Sequence, residues 1–355
     1  MGAIDSPASN ILPVPADARV ALLERWLEDL YGDEDFSLTT ASADASFRRY
    51  FRVTRHDQTR IAMDAPPDKE DVGPFIRVAE ILNEVGVNAP HIHERNLDQG
   101  FLLLSDLGSR TYLKDLERGL NVDRLYADAI DALVSMQARG TRHAAVLPPY
   151  DRALLAREMQ LFPDWFIGKH LRIELDATER QGLAEVCDQL AQLALAQPRV
   201  FVHRDYHSRN LMIGGGQSGA NPGILDFQDA VLGPITYDLV SLLRDCYIAW
   251  PPERIAGWVR QYRQLAAAAG LAVGEDEAEF TRWFDWMGVQ RHLKAIGIFA
   301  RLLYRDGKPG YLGDIPRTLA YVVAVTTRYP ELGGLHRLIV DRVEPALAAH
   351  RDPAR

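Results

Sequence analysis

The sequence predicts an α+β fold with two lobes: a small N-terminal lobe built on an antiparallel sheet, and a larger, mainly helical C-terminal lobe. Three observations support this prediction. The chain of 355 residues exceeds the ~250–300 residues at which single hydrophobic cores stop growing. Short β-rich segments are concentrated between residues 36 and 104. Beyond Gly108, apolar residues recur mostly with the 3.6-residue helical period.

The N-terminal lobe is predicted to begin with a helix and to continue as a sheet interrupted by a second helix. Residues 16–31, ADARVALLERWLEDLY, carry apolar side chains at helical spacing, with Gly32 as a stop signal. The segments SFRRYFRV, RIAMDA and FLLLSD are typical of strands, whereas FIRVAEILNEVGV is typical of a helix. Between residues 36 and 104 we therefore expect the order strand, strand, strand, helix, strand, strand.

The C-terminal lobe is predicted from a succession of amphipathic helical segments. They are TYLKDL through SMQARG, YDRALLAREMQLF, ATERQGLAEVCDQLAQLALA, PPERIAGWVRQYRQLAAAA, EAEFTRWFDWMGVQRHLKAIGIFARLLY and IPRTLAYVVAVTTRY. NLMI and GILDF are exceptions, since both are typical of short strands. GGGQSG between them matches G-x-G-x-x-G, but a proline and a strand follow where a dinucleotide-binding fingerprint requires a helix. We expect a hairpin tip there.

Composition excludes several classes of function. Hydrophobic residues make up 47% and charged residues 25% of the chain, as in ordinary soluble globular proteins. A net charge of -9 without a long basic run argues against a nucleic-acid or anionic-membrane partner. The first residues lack the features of a secretory signal, and no apolar run has the length of a membrane span. We therefore expect a cytoplasmic monomer whose partners are small molecules.

One loop concentrates the polar residues that indicate chemistry. FVHRDYHSRNLM contains Asp205 and, five positions later, Asn210, and Asp226 follows near the end of GILDF. Phosphoryl transfer requires a carboxylate that receives the proton of the acceptor hydroxyl, and oxygen ligands that hold Mg²⁺ on the phosphates. The pattern H-x-D-x-x-x-x-N followed by D-F supplies both. It predicts Asp205 as the catalytic base, with Asn210 and Asp226 as the Mg²⁺ ligands.

These segments resemble the aminoglycoside phosphotransferase-like small-molecule kinases over nearly the whole chain. FLLLSDLGSRTY is similar to the fifth strand and hinge of that family, FVHRDYHSRNLM to its catalytic loop, and ILDFQDAVLGPITYDLVSLLRD to its metal-binding strand and next helix. The resemblance implies a two-lobed protein-kinase-like fold that uses ATP and Mg²⁺. Residues 1–104 would form the N-terminal lobe, 105–110 the hinge and 111–355 the C-terminal lobe.

The acceptor is also suggested by resemblance. MDAPP, GPITYDLVSLLRD and QRHLKAIGIFARL are most similar to bacterial anomeric kinases of N-acetylmuramate and N-acetylglucosamine. This similarity implies phosphorylation of the C1 hydroxyl to the sugar 1-phosphate in peptidoglycan recycling, without ranking the two sugars. Three alternatives stay open: another hydroxyl acceptor such as an aminoglycoside, choline-like amine or homoserine; a catalytically silent nucleotide-binding protein; and a metallohydrolase. The metallohydrolase, built on His203, Asp205 and His207, is disfavoured because no second histidine pair completes its ligand set.

The resemblance implies further roles on the nucleotide side. The backbone of the hinge would read the adenine edge, through Ser105, Asp106 and Leu107. Kinases usually carry a lysine on the third strand for the α and β phosphates, whereas RIAMDAPP has none. The phosphate-covering loop TTASADASFRRYF has no glycine, so Ser46 is its expected donor. Arg48 or Arg49 would replace the charge of the lysine, although a solvated strand arginine explains each equally well.

The remaining roles concern the loop and the acceptor pocket. The resemblance implies that His203 and Asp238 support the loop, with Asp238 accepting its backbone N–H groups. A sugar pocket needs aromatic and hydrogen-bonding groups. The candidates are Tyr206 and His207 beside Asp205, and Trp165, Phe166, Arg244, Asp245, Gln290 and Arg291 on helical segments. Core packing explains the two aromatic helical residues better, whereas polar groups on apolar helical segments require partners.

Overall fold

The structure is a computed structural model that describes residues 17–43, 47–214 and 220–350. The chain forms two compact units. Unit 1 comprises the described residues of Met1–Arg110 and Met212–Gln228, and unit 2 those of Thr111–Leu211 and Asp229–Arg355. The segment Met212–Gln228, which the sequence placed in the C-terminal lobe, belongs to unit 1. Within that unit, the Ile213 N–H donates to the carbonyl of Arg110 and the Ile224 N–H to that of Asn88, both at 2.8 Å.

The elements follow one another in this order. Unit 1 begins with α1 (Ala18–Tyr31), β1 (Ser37–Ala43), β2 (Arg49–Arg55), β3 (Gln58–Asp64), α2 (Gly73–Val85), β4 (Ile92–Asn96) and β5 (Phe101–Ser105). The later strands are β6 (Arg199–Val202), β7 (Leu211–Met212), β8 (Gly223–Ile224) and β9 (Val231–Pro234). The later α-helices are α3 (Tyr112–Glu117), α4 (Val122–Gly140), α5 (Arg152–Leu161), α6 (Ala177–Ala196), α7 (Tyr237–Leu243), α8 (Pro252–Ala268), α9 (Glu277–Asp306), α10 (Ile315–Thr326), α11 (Gly333–Leu338) and α12 (Glu344–His350). Short 3-10 segments cover Thr141–Val146, Pro309–Asp314 and Pro330–Leu332, and π-helical turns cover Phe162–His170 and Ile339–Val343.

Unit 1 confirms the predicted order of strand, strand, strand, helix, strand, strand. Strands β1 to β5 form an antiparallel sheet in the order β1-β2-β3-β5-β4. Phe51 pairs with Ala62, which pairs with Leu103, so these residues share one face of the sheet. Leu23 and Leu27 of α1 pack against this face in a hydrophobic core. The apolar stripe that predicted α1 is therefore the surface that the helix buries.

Unit 2 is organised around the long helix α9. Asp276 caps its first turn by accepting the N–H of Glu279 (2.8 Å), and Gly307 ends it with φ 66°. The residues from Trp283 to Lys294 are buried without interruption. A helix buried on all sides lies in the centre of its unit. Since this stretch also carries charged and polar groups, those groups need internal partners.

A two-stranded antiparallel pair, β6 with β9, sets the start of the loop identified in the sequence. Phe201 pairs with Leu232 and Val202 with Val231, and the loop begins at the next residue. The sequence did not predict β9, because half of its four residues, VLGP, are glycine and proline, which are depleted in strands. Among the helices of the described residues, none is both long and apolar enough to cross a membrane.

Candidate active site

The loop after β6 is held by a buried carboxylate. Asp238, in the first turn of α7, accepts hydrogen bonds from the backbone N–H groups of His203 (2.7 Å) and Arg204 (2.9 Å). The His203 ring accepts the N–H of Asp205 through Nδ1 at 3.2 Å. Burial raises the pKa of Asp238 to about 7, against the lowering effect of the two hydrogen bonds. These contacts fix the backbone of the loop.

Left-handed backbone conformations occur at both ends of the motif. Arg204 has φ 79° and Asp226 has φ 63°. Such conformations cost a non-glycine residue about 1–3 kcal/mol, persist only where surrounding contacts impose them, and concentrate at functional sites. Arg204 is fixed by Asp238 and by an ion pair with Glu158. The backbone is therefore strained at the residue before the predicted base and at a predicted Mg²⁺ ligand.

The Asp205 carboxylate lies in a positively charged environment. Burial by itself raises its pKa, whereas the positive charge of Lys294, followed by the effects of His207, Arg291 and Arg204, lowers it. The net result is a pKa below the ordinary value for aspartate. Burial lowers the pKa of the neighbouring His207, which favours a neutral ring. Asp205 is thus ionised at neutral pH, as a general base must be.

A buried ionic network centred on Glu158 of α5 lies behind the loop. Its Oε1 accepts from Arg204 and from the Nζ of Lys294, the latter at 2.9 Å. Its Oε2 accepts from the hydroxyl of Tyr150 and from the amide of Gln290, the latter at 3.3 Å. Burial raises the pKa of Glu158, but the charges of Lys294 and Arg204 outweigh burial and lower it. With Asp205 and the nearby Arg291 included, three cations face two anions, so this buried group carries a net positive charge.

The far end of the loop is fixed by Asp245. Its carboxylate accepts the backbone N–H of Ser208 (3.0 Å), the hydroxyl of the same residue (2.5 Å) and the backbone N–H of Tyr247 (2.9 Å). Asp245, predicted to line the acceptor pocket, is therefore a support for the loop. The exposed Arg209 lays its guanidinium over the ring of Tyr247, 3.6 Å from the centroid.

The two predicted Mg²⁺ ligands have donor atoms that suit that ion. The Asn210 amide nitrogen donates to the carbonyl of Asp205 at 3.0 Å, and the amide oxygen is the atom of this side chain that can act as a metal ligand. In unit 1, Asp226 follows β8, and its Oδ1 accepts the Gln228 amide at 2.9 Å. Amide and carboxylate oxygens are the ligands that Mg²⁺ prefers. Groups of three or more His, Cys, Asp or Glu able to hold a metal do not occur within the described residues.

Arg49 has a different role from the predicted phosphate contact. Its Nη2 lies 2.5 Å from the carboxylate of Asp64, and a second ion pair joins it to Asp17. Asp64 is 0% exposed and also pairs with Arg19. Arg49 thus compensates the buried acidic end of β3, which corrects its assignment as the replacement for the missing lysine. Arg48 stays a candidate by position, while Ser46 lies outside the described residues.

The predicted hinge residues Ser105 and Asp106 form hydrogen bonds within unit 1. The N–H of Ser105 donates to the carbonyl of His91 at 2.9 Å, so this amide serves the sheet instead of the predicted adenine contact. The Asp106 carboxylate accepts from Arg52 Nε (2.6 Å) and from the N–H of Gly108 (2.8 Å). Burial raises the pKa of Asp106, but Arg52 and the Gly108 hydrogen bond lower it below the ordinary value. The backbone groups of Asp106 and Leu107 are then the remaining candidates for the predicted adenine contacts.

Two predicted acceptor residues are structural. Tyr206 is 0% exposed and donates its hydroxyl to the carbonyl of Ala129 at 2.9 Å, so it belongs to the core. Gln290, also 0% exposed, donates to the hydroxyl of Tyr150 (3.1 Å) as part of the Glu158 network. Both predictions assumed that a polar group near the motif faces the acceptor, whereas here an internal partner satisfies it. Arg291 is buried as well, but its charge acts on Asp205.

The other predicted acceptor residues lie elsewhere in unit 2. Arg244 pairs with Asp285 (2.6 Å) and lines a cavity of about 390 Å³ between α8, α9 and α10. Trp165 lies in the π-helical turn, where the Nζ of Lys169 is 4.7 Å from its ring centroid. Phe166 is fully buried, as core packing predicted. Of the predicted acceptor residues, His207 and Arg291 are among the groups that act most strongly on the pKa of Asp205.

Three residues of the site were missed. Lys294 lies one helical turn after Gln290 and Arg291 on the same buried stretch, so the signal that selected those two applied to it as well. Glu158, in LLAREMQLF, resembles an ordinary exposed helix position, and the sequence gives no signal for its burial. Arg209 lies inside the motif but matches none of its defined positions.

The sheet of unit 1, the helical unit 2 and the H-x-D-x-x-x-x-N loop define a protein-kinase-like phosphotransferase fold. The fold is similar to that of the ADP-bound aminoglycoside phosphotransferase APH(2″)-Ib, with a TM-score of 0.54 at 13% identity, covering 85% of this chain and 97% of that one. The sequence matches the profile of the Phosphotransferase enzyme family over residues 37–275. The chain belongs to this family, and it is an enzyme.

Two relatives match almost the whole chain. One is the N-acetylmuramate/N-acetylglucosamine kinase of Pseudomonas putida, 48% identical over 335 residues, which are 92% of this chain and 97% of the relative. The other, from Neisseria meningitidis serogroup B, bears the same name and is 49% identical over 325 residues, which are 90% of this chain and 95% of the relative. The fold class and the family predicted from the sequence are both confirmed.

Proposed function

We propose that this enzyme is a sugar kinase, which transfers the γ-phosphoryl group of ATP to the anomeric C1 hydroxyl of N-acetylmuramate or N-acetylglucosamine. The observation that supports the chemistry is the position of Asp205 on a loop whose backbone is held by Asp238, with surrounding positive charges that lower the pKa of the Asp205 carboxyl group. The names of the two relatives, at 48% and 49% identity, support the choice of acceptor. Peptidoglycan recycling is the setting that we infer for a sugar 1-phosphate of this kind.

In the proposed reaction, Asp205 orients the C1 hydroxyl and accepts its proton as the oxygen attacks phosphorus. The anomeric hydroxyl is more acidic than an ordinary alcohol because the ring oxygen withdraws charge, so a carboxylate is an adequate base. The hydrogen bonds of Asp238 and His203 hold the loop in one geometry. Such positioning, fixed before the reaction, supplies part of the rate enhancement.

The nucleotide side of the proposal rests on residue chemistry and on motif position. Asn210 and Asp226 would hold Mg²⁺, which neutralises charge on the nucleotide phosphates when bound. The backbone of Asp106 and Leu107 would contact adenine, and Arg48 would face the phosphates. The ADP in the solved aminoglycoside phosphotransferase supports a nucleotide as the phosphoryl donor.

The charges around Asp205 favour a sugar over a cationic acceptor. Lys294, Arg291 and Arg204 all act on this carboxylate, and the exposed Arg209 lies on the same loop. A polycationic aminoglycoside or a choline-like amine would meet like charges here, which cost binding energy. A neutral or anionic sugar would not.

Replacing Asp205 by asparagine tests the proposal. The variant should lose about 10²–10⁴-fold in kcat, the usual contribution of a general base, while ADP binding measured by calorimetry stays near that of wild type. Asp188→Asn, which changes an exposed carboxylate of α6, is the matched control. Phosphorus NMR of the product should show phosphate on C1. Near-normal turnover in Asp205→Asn would exclude Asp205 as the base, and phosphate on another hydroxyl, or no product with either sugar, would reject the proposed reaction.

A further inference from the structure

We propose that Arg209 binds the carboxylate of an acidic acceptor sugar, so that the enzyme prefers N-acetylmuramate, with its lactyl carboxylate, to N-acetylglucosamine, which has none. This role rests on the proposed function and adds to it a residue that distinguishes the two sugars. Four features of Arg209 support the role: its place in the loop, its fixed orientation, its missing carboxylate partner and the aromatic surface beside it.

Arg209 lies in the same tight turn as the proposed base. The N–H of His207 donates to the carbonyl of Asp205 (3.0 Å), and the N–H of Asn210 donates to the carbonyl of His207 (2.9 Å). These bonds fold residues 205–210 into one compact unit of backbone. The charges of both Asp205 and Arg209 act on the ring of His207, which lies between them in the sequence, so we infer that a substituent on a sugar whose C1 hydroxyl faces Asp205 reaches the Arg209 side chain.

The Arg209 guanidinium is held in one orientation. It stacks over Tyr247 at 3.6 Å and lies 5.5 Å from the ring centroid of Tyr311. Tyr247 is itself fixed, through its N–H to Asp245 (2.9 Å) and an edge contact with the His207 ring at 5.2 Å. A guanidinium stacked on a ring keeps its N–H donors in its own plane, directed past the ring edge. The donors are thus arranged in advance for a planar, two-oxygen ligand.

Arg209 forms no ion pair with any carboxylate in the described parts of the chain. The charge of Asp314 interacts with it, but that carboxylate is already bonded to Arg317 at 2.9 Å. Asp245 is likewise occupied by backbone and hydroxyl donors. Arg204 and Arg244, by contrast, each have a carboxylate partner. Arg209 is the exposed cation of the loop, and because no carboxylate of the described residues is hydrogen-bonded to its guanidinium, its N–H donors are accessible to a ligand or to solvent.

The surface beside Arg209 suits a pyranose ring. The partly exposed Tyr247 and Tyr311 form what we term the aromatic shelf, and the buried Phe299 packs against both, with its ring centroid 6.3 Å from that of Tyr247 and 5.6 Å from that of Tyr311. Aromatic side chains supply the apolar contact that the C–H groups of a sugar need, while polar groups fix its orientation. An aromatic shelf that carries one stacked cation matches a sugar that carries one carboxylate.

The test compares four proteins with three acceptors. The proteins are wild type, Arg209→Gln, Arg209→Lys and the control Arg180→Gln, which changes an exposed arginine of α6. The acceptors are N-acetylmuramate, its neutral lactyl amide and N-acetylglucosamine. We expect Arg209→Gln to lower kcat/KM for N-acetylmuramate about tenfold through KM, the effect of losing one charged hydrogen bond. The two neutral acceptors should change less than about twofold, and Arg209→Lys should fall between.

Other results would overturn the role of Arg209. An equal loss with all three acceptors, or a raised KM for ATP, would place Arg209 at the nucleotide or in the support of the loop. No change with any acceptor would exclude a contact. Circular dichroism and the unfolding midpoint show that each variant is folded, and Arg209→Lys provides a second variant if Arg209→Gln is not.

A binding experiment distinguishes a failure of this inference from a failure of the proposed function. Calorimetric titration of N-acetylmuramate and its lactyl amide, without nucleotide, into wild type and Arg209→Gln requires no turnover. If wild type binds N-acetylmuramate more tightly than the lactyl amide and Arg209→Gln binds both equally, the inference is supported. This holds even if neither sugar is phosphorylated, because the lack of product would reject only the proposed reaction. Equal binding of acid and amide to wild type would overturn the inference even if both sugars are phosphorylated.

Discussion

Replacing Glu158 by glutamine is expected to destabilise unit 2 strongly. Glu158 is 5% exposed and bonds to both Arg204 and Lys294. Glutamine keeps the shape of the side chain but removes its negative charge. The two cations then lie in a buried site with Asp205 as their shared counter-charge, and neither gains a new partner.

The magnitude follows from the contacts. Removing one partner of a buried ion pair costs about 3–5 kcal/mol, mainly because the remaining charge stays buried. Lys294→Met is the informative comparison, because it leaves the Arg204–Glu158 pair balanced and puts an apolar side chain into a buried position. For this variant we expect a smaller loss, about 1–3 kcal/mol, from one charged hydrogen bond.

Urea unfolding followed by circular dichroism measures both losses, with Glu185→Gln as the control. Glu185 is exposed on α6, with a single helical contact to Gln181 at 2.9 Å, so its replacement should change stability by no more than about 0.5 kcal/mol. A Glu158→Gln protein that loses no more than this control, or less than Lys294→Met, would refute the view that Glu158 is the counter-charge of the network.

Two further predictions concern other buried positions. His292 donates from Nε2 to the Arg244 carbonyl at 2.9 Å, and burial, followed by the charge of Arg291, lowers its pKa from 6.5 to about 3. The unfolded chain therefore binds a proton below pH 6.5 that the folded protein does not, so the folding free energy should weaken by about 2 kcal/mol from this group at pH 5. Urea unfolding between pH 5 and 7 should show a smaller pH dependence in His292→Gln, and an unchanged slope would contradict the assignment. At Gly297 an added Cβ would lie 2.4 Å from the Leu161 carbonyl carbon, so Gly297→Ala should cost about 1–3 kcal/mol. Gly257→Ala, in an open position of α8, should instead stabilise the protein by up to about 1 kcal/mol. Similar thermal midpoints for the two alanine variants would contradict the predicted clash.

Much of the fold follows from short-range sequence pattern. The apolar stripe of α1 and the order of strands in unit 1 appear in the structure as predicted, because helical and strand periodicities span only a few residues. The loop could also be predicted from the sequence alone, since Asp205 and Asn210 lie five positions apart in one short motif. Strand β9 was not predicted, because its sequence VLGP contains a glycine and a proline and so lacks the residue types that are typical of strands.

The tertiary structure decided which polar groups face a partner inside the protein. Tyr206 and Gln290 are residue types that are common in sugar-binding sites, yet each donates a hydrogen bond to a protein group far away in the chain. Arg49 had the charge to replace a missing lysine, but it compensates the buried Asp64 of the neighbouring strand. Glu158 gave no sequence signal because its partners, Arg204 and Lys294, come from segments 46 and 136 positions further on. A residue type therefore determines which contacts a side chain can make, whereas the packing of distant segments determines which of them it makes, because burial requires each charge to find a partner.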